Sequence, residues 1–209
     1  MKKYLLVLVG GLIIGLTIVV IKSKYPAIEE VFANITAISK GEFFTRVNGN
    51  SMLPTLKNKQ MWYGDSCTDD KCWNHKWERG ELVTIDIENI DPNDWGELLI
   101  KRVIGLPGEV VTITFGKIYI NGYELNEPYI KKGTLTLGHK ICVRYALGND
   151  QLFVLGDNRK NSKDSRIIGA IKTSQVAAYS EYSRYQSGSE LPSLGSEKVV
   201  IDEGKCPLK

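Results

Sequence analysis

The stretch "YLLVLVGGLIIGLTIVVI", Tyr4 to Ile21, carries no charge at all, and it restricts the possible folds more tightly than any other feature of the chain. In water such a run must be buried along its whole length. In a bilayer it needs no covering partner. At about 1.5 Å rise per residue it is just long enough to cross a hydrocarbon core as a helix. Lys2 and Lys3 precede it, and Lys22 and Lys24 follow it. The competing reading is a cleaved targeting peptide, whose apolar region usually has about 7–15 residues and ends in a small-x-small site. This run is longer and leads into Ile-Lys-Ser-Lys, which favours a retained anchor. Basic residues flank both ends, so charge does not orient it. Gly11 and Gly15 make a small-xxx-small pair, although glycine is common in membrane helices in any case.

The rest of the chain has a different character. "YPAIEEVFANITAISKGEFF" reads as a linker or short helix. The Asn34-Ile35-Thr36 triplet within it is too common by chance to carry weight. From Phe43 onward the signals are β. "ELVTIDI" (Glu81 to Ile87), "ELLIKRVI" (Glu97 to Ile104) and "QLFVLGDN" (Gln151 to Asn158) read as strands. "EVVTITFGKIYING" reads as a hairpin turning at Phe115-Gly116, with a second turn at Asn121-Gly122. Many short strands between close turns ("GLPGE", "NEPYI", "LGND") favour an antiparallel sandwich or barrel over a doubly wound sheet. The expected organisation is a tip and anchor at residues 1–25, a linker at 26–42, a β-domain at 43–185 and a peripheral tail at 186–209.

The formal net charge of the 209 residues is only +3, with no lysine-arginine block longer than a pair. No zinc-finger, homeodomain or basic-zipper pattern occurs, so a nucleic-acid partner is not expected. There are four cysteines. Cys67 and Cys72 share the polar loop "DSCTDDKCWNH", which suits a local bridge and would leave Cys142 to pair with Cys206 and tie down the tail. Free thiols, or a metal held by Cys67, Cys72 and His75, are the alternatives; the usual Cys-x-x-Cys spacing is missing.

Ser51, in "VNGNSMLPTL", is the candidate nucleophile. A serine hydroxyl is a poor nucleophile without an adjacent base. The chain has two histidines, His75 and His139, and neither stands in a triad motif. Lysine can serve instead when an apolar surrounding makes its neutral form accessible. Lys101, in "ELLIKRVIGLPG", is the lysine set among apolar residues. On a strand Lys101 and Arg102 face opposite sides, so one of them can point into the apolar side. The ordinary alternatives are a turn serine and an edge-strand lysine that discourages aggregation. The segment "GDNRKNSKDSR", Gly156 to Arg166, is polar yet lies between the apolar runs "LFVL" and "IIGAI". A loop so placed can supply hydrogen bonds and an Asp-Arg pair to a nearby site.

With "SMLPT" (Ser51 to Thr55), "RGELV" (Arg79 to Val83), "IKRVIGLPGE" (Ile100 to Glu109) and "GDNRKNSKDSR" in this order, the chain resembles the bacterial type I signal peptidases, a family of membrane-anchored serine-lysine endopeptidases. The resemblance covers about Phe43 to Ile171. It implies that Ser51 is the nucleophile, that Lys101 is the general base, and that Ser162 bonds and orients the lysine ammonium. It further implies an ion pair between Asp164 and Arg166, and supporting roles for Arg102, Asp157 and Arg159. Met52, Leu56, Leu99 and Ile100 match positions lining the pocket for the residue before the cut. Val47 and Ile100 match those lining the pocket two residues further back. Glu81 stands where many members carry aspartate. Gly49 stands where some relatives have a serine that helps hold the oxyanion, which leaves the Ser51 N–H and a second donor, with Asn50 or water as candidates.

The implied activity is removal of N-terminal signal peptides from exported preproteins at the bacterial cytoplasmic membrane, with the catalytic domain on the extracytoplasmic side. Preproteins and the lipid bilayer are the implied partners, and no metal or organic cofactor is needed. Met52, Leu53, Trp62 and Phe44 are candidates to dip into lipid. The alternatives are a dedicated pilin or conjugative-transfer maturation peptidase with the same chemistry, and a catalytically idle membrane-anchored β-domain.

Overall fold

The computed structural model describes residues 42–67, 72, 74–87, 98–138, 140–181, 192–200 and 206. The expected anchor, nearly all of the linker, the Asn34 triplet and His139 lie outside them. Among the described residues no helix is long and apolar enough to cross a membrane. The chain divides into two compact units, Met1–Phe44 and Thr45–Lys209. Of the first, the described residues are 42–44, the opening of strand β1 (Glu42–Arg46).

The second unit is mainly antiparallel β. Its larger sheet runs in the order β2 (Met61–Ser66), β11 (Val176–Ser180), β3 (Leu82–Asp86), β4 (Leu98–Gly105), β9 (Gln151–Leu155) and β10 (Ile171–Lys172). The smaller sheet runs β12 (Ser193–Lys198), β7 (Tyr123–Asn126), β6 (Lys117–Ile120), β5 (Val110–Thr114) and β8 (Cys142–Ala146). One short helix, α1 (Ser165–Ile168), follows β9.

The two expected turns are where the sequence put them. Thr114 pairs with Lys117 and Ile120 with Tyr123, leaving Phe115-Gly116 and Asn121-Gly122 as two-residue loops. All four loop residues have positive φ, at 49°, 76°, 51° and 91°. Turns of that kind match the right-handed twist of the strands they join. Asn and Gly tolerate the left-handed region readily; Phe115 does not, and it sits there with its ring exposed.

The continuous apolar runs of β4 and β9 have a packing reason. Leu152 and Val154 of β9 join Leu99 and Val103 of β4 in one core cluster, with Val83, Ile85 and Val176. Phe153 and Leu155 face the other way and join Ile104, Val111, Ile113, Ile120 and Tyr145 in a second cluster under the smaller sheet. Strands covered on both faces lose the polar alternation that marks a solvated sheet. β4 lies between β3 and β9, so Lys101 is not an edge-strand lysine. Both Lys101 and Arg102, on opposite sides of the strand, are buried: Lys101 is 2% exposed and Arg102 0%.

Cys67 is bonded to Cys72 and Cys142 to Cys206. Both bridges follow the pairing read from the sequence. They rule out the free-thiol and metal readings of the loop, because both of its thiols are consumed. The tail contributes β12, every residue of which is exposed, and it is held again at Cys206.

Candidate active site

Ser51 opens a tight turn. The Leu53 N–H donates to the Asn50 carbonyl at 3.3 Å, and the Leu56 N–H donates to the Met52 carbonyl at 2.9 Å. The turn is tied to the segment after β9 by two bonds: the Asn158 N–H donates to the Ser51 carbonyl at 2.9 Å, and Asn158 Nδ2 donates to the Asn50 carbonyl at 3.0 Å. Across from it, Lys101 stands on β4, paired in register with Val83 of β3. Its Nζ lies 3.1 Å from Ser51 Oγ and donates to the Ile100 carbonyl at 2.8 Å. Two segments fifty residues apart thus bring a serine hydroxyl and a buried amine into hydrogen-bond contact.

Arg102, the next residue on β4, holds this arrangement from behind. Its Nε and Nη2 grip both carboxylate oxygens of Asp157, at 2.8 and 2.7 Å. Nη1 donates to the Gly80 carbonyl at 2.7 Å, and Nη2 also reaches Thr55 Oγ1 at 3.2 Å. Thr55 Oγ1 itself donates to Asp157 Oδ2. The guanidinium lies 4.0 Å from the centre of the Tyr129 ring. This bidentate, fully buried pair joins the Ser51 turn, the Arg79-Gly80 turn, β4 and the segment after β9. Buried charges persist where each polar atom has a partner, and here they do.

Gly156 is the point of closest approach. A Cβ placed there would overlap Ser162 Oγ and come within 2.6 Å of the Ser51 carbonyl oxygen. Only glycine lets the segment after β9 lie flat against the Ser51 turn. The Gly156 N–H donates to Asp164 Oδ2 at 3.1 Å. Asp164 is also the N-cap of α1 and pairs with Arg166 through both oxygens, at 2.8 and 2.7 Å, so the implied ion pair is present. Arg159 donates to the Gly156 carbonyl at 3.1 Å and to Thr136 Oγ1, and it forms an ion pair with Glu127.

Three expectations need correction. Ser162 Oγ is buried and makes no hydrogen bond, so the implied bond to the Lys101 ammonium is not made in this structure. Leu56 is fully buried in the body of the turn and does not line the cleft. Met52 and Trp62, offered as lipid-dipping residues, are 1% and 0% exposed and belong to the interior. The cleft beside Ser51 and Lys101 has a volume of about 250 Å³, and Val47, Met52, Leu99 and Ile100 all line it, with Leu98. At Gly49 φ is 92° and the space around it is open; its N–H donates to Asn58 Oδ1 at 3.0 Å.

The sequence reading missed Glu127, Tyr129 and Thr136. "NEPYI" carries a turn signal in sequence, yet Glu127 neutralises the buried Arg159 and accepts from Tyr129 Oη at 2.6 Å. The available signal was weak: an acid and a tyrosine set two residues apart in a chain whose motif segments carry several arginines. His75 is neither a base nor a ligand at this site. It lies instead 2.9 Å from Glu81, stacked 3.9 Å from Tyr179 and edge-on to Trp77. Burial pushes the Glu81 carboxyl above its ordinary value, against the opposing pull of the Glu78 N–H and His75.

Residues 18–183 match the family model described as signal peptidase, peptidase S26. The chain belongs to this family. Among relatives of the S26 signal peptidases, a signal peptidase I of Bacillus amyloliquefaciens is 33% identical over 143 residues, covering 65% of this chain and 72% of that one. A probable signal peptidase I-1 of Synechocystis is 32% identical over 159 residues, covering 74% and 76%. The crystal structure of a signal peptidase I from Enterococcus faecalis V583 aligns with a TM-score of 0.40 at 28% identity, over 51% of this chain and 98% of that one. Membership makes this chain a serine endopeptidase.

Proposed function

We propose that Ser51 and Lys101 form a catalytic dyad through which this S26 peptidase removes signal peptides from exported preproteins. The observation that supports it most directly is the 3.1 Å contact between Lys101 Nζ and Ser51 Oγ beside the cleft. The neutral amine takes the hydroxyl proton as Oγ attacks the scissile carbonyl. The resulting ammonium then protonates the departing amine of the mature chain. Lys101, neutral again, activates the water that releases the signal peptide from Ser51. Val47, Met52, Leu99 and Ile100 line the cleft in which the residues before the cut would lie.

The same reading takes residues 1–25 as a single-pass anchor at the bacterial cytoplasmic membrane, 26–42 as a linker, 43–185 as the catalytic domain and 186–209 as a peripheral tail. A tether raises the effective concentration of a substrate that is itself in the membrane. Two disulfides favour an oxidising, extracytoplasmic location for the body. The test is cleavage of a preprotein by detergent-solubilised protein, with the cut read by mass spectrometry. Ser51→Ala is expected to abolish the cut while leaving the circular dichroism spectrum unchanged. A Ser51→Ala protein that cuts at the wild-type rate would remove Ser51 from the mechanism.

A further inference from the structure

A second groove flanks the nucleophile turn and shares no lining residue with the first. It has a volume of about 530 Å³ and is lined by Leu53, Pro54, Thr134 and Asn158, with Lys131 and Lys160 exposed among them. Ser51 and Met52 face the first cleft, while Leu53 and Pro54, the next two residues of the same turn, face the second. Asn158 joins them, because it lines the second groove while its N–H holds the Ser51 carbonyl. A chain that enters along Val47, Met52 and Ile100 and presents its carbonyl to Ser51 therefore leaves past Leu53 and Asn158.

The charges of this groove are uneven. Asp157 and Arg159 also line it, but both are buried, and each is matched by an opposite charge, Arg102 and Glu127. The exposed charges that line it are the ammonium groups of Lys131 and Lys160. We propose that this groove binds the segment of the substrate that follows the cut, and that Lys131 and Lys160 favour acidic side chains in that segment over basic ones. The inference rests on the dyad reading, since it takes Ser51 as the point of cleavage.

The experiment uses the full chain and a matched set of preproteins, identical before the cut and carrying three glutamates, glutamines or lysines at the second to fourth positions after it. The ratio of kcat/KM for the glutamate substrate to that for the lysine substrate is read within each enzyme. At low salt the wild type should give a ratio of about 10, since an exposed charge contact is worth only a few-fold. The ratio should fall towards unity at high salt as the charges are screened. Lys131→Glu/Lys160→Glu should invert it, and the single Gln variants should lie between. A flat wild-type series overturns the proposal, and so does a ratio that the charge reversal leaves in place. Failure of the dyad reading would look different, with Ser51→Ala still cleaving all three substrates.

Discussion

At the scale of single residues, the proposed mechanism turns on one lysine placed where lysines are rarely found. Lys101 is almost wholly buried, and its Nζ contacts the Ser51 hydroxyl and donates to the Ile100 carbonyl. Charge alone does not account for it, because a guanidinium would keep the charge and could not accept a proton. Lys101→Arg is therefore expected to reduce kcat at pH 8 by at least about a thousandfold, as loss of a dyad member does elsewhere. An arginine variant retaining most of its activity would point to a different base. Glu81 allows a pH test of burial. Its carboxyl is raised above 4.5 because the folded state disfavours the anion. The stability it contributes is thus full below pH 4.5 and is lost as pH rises through its folded-state value. Urea unfolding of wild type and Glu81→Gln across pH should show the wild-type advantage shrinking from about pH 4.5 upward and then levelling. A widening advantage would mean that the His75 contact outweighs desolvation.

At the scale of elements, the active site is a junction of segments that do not adjoin in sequence. β4 supplies Lys101 and Arg102 side by side, and the pleat sends one towards Ser51 and the other towards Asp157. The turn after Ser51 and the segment after β9 are clamped by the Arg102–Asp157 pair and by Thr55. Asp157→Ala should destabilise the protein by about 3–5 kcal/mol, because it strands a buried guanidinium. An Arg102→Met/Asp157→Leu protein should lose less stability than the single variant, since no unpaired charge remains. Both should lose activity, as neither holds the Ser51 turn against β4. Denaturant midpoints checked against turnover on one preprotein would separate the two effects.

At the scale of the molecule, two bridges restrain the chain over very different spans. Cys67 and Cys72 are 5 residues apart and Cys142 and Cys206 are 64. In the chain-entropy picture the short loop is worth about 2 kcal/mol and the long one about 4 kcal/mol. Cys142→Ser/Cys206→Ser should therefore lower the Tm more than Cys67→Ser/Cys72→Ser, as read by calorimetry on the two variants. The reverse order would show that the short bridge acts through the native His75 and Glu81 packing rather than through the unfolded chain. The long bridge joins β8 of the smaller sheet to the tail, which is why an exposed strand such as β12 can stay paired.

The strands at Leu82–Asp86, Leu98–Gly105 and Gln151–Leu155, the hairpins at Phe115-Gly116 and Asn121-Gly122, and the local bridge between Cys67 and Cys72 were legible in the sequence, because each depends on local periodicity, turn chemistry or proximity along the chain; the Cys142–Cys206 bridge followed only by elimination. Ser51 and Lys101 stood out as candidates for another reason: a hydroxyl and an amine in unusual company are visible before their contact is known, and four ordered motifs connect them. What they touch was not legible. That Arg102 is buried as deeply as Lys101 depends on β4 being covered on both faces, which no window of sequence reports. That Glu127 neutralises Arg159, that Leu56 and Trp62 turn inward, and that Ser162 leaves Lys101 to Ser51 and the Ile100 carbonyl were decided by packing between segments far apart in the chain. Local pattern fixes which residues can carry charge into a strand; only the assembled sheets determine which opposite charge meets them there.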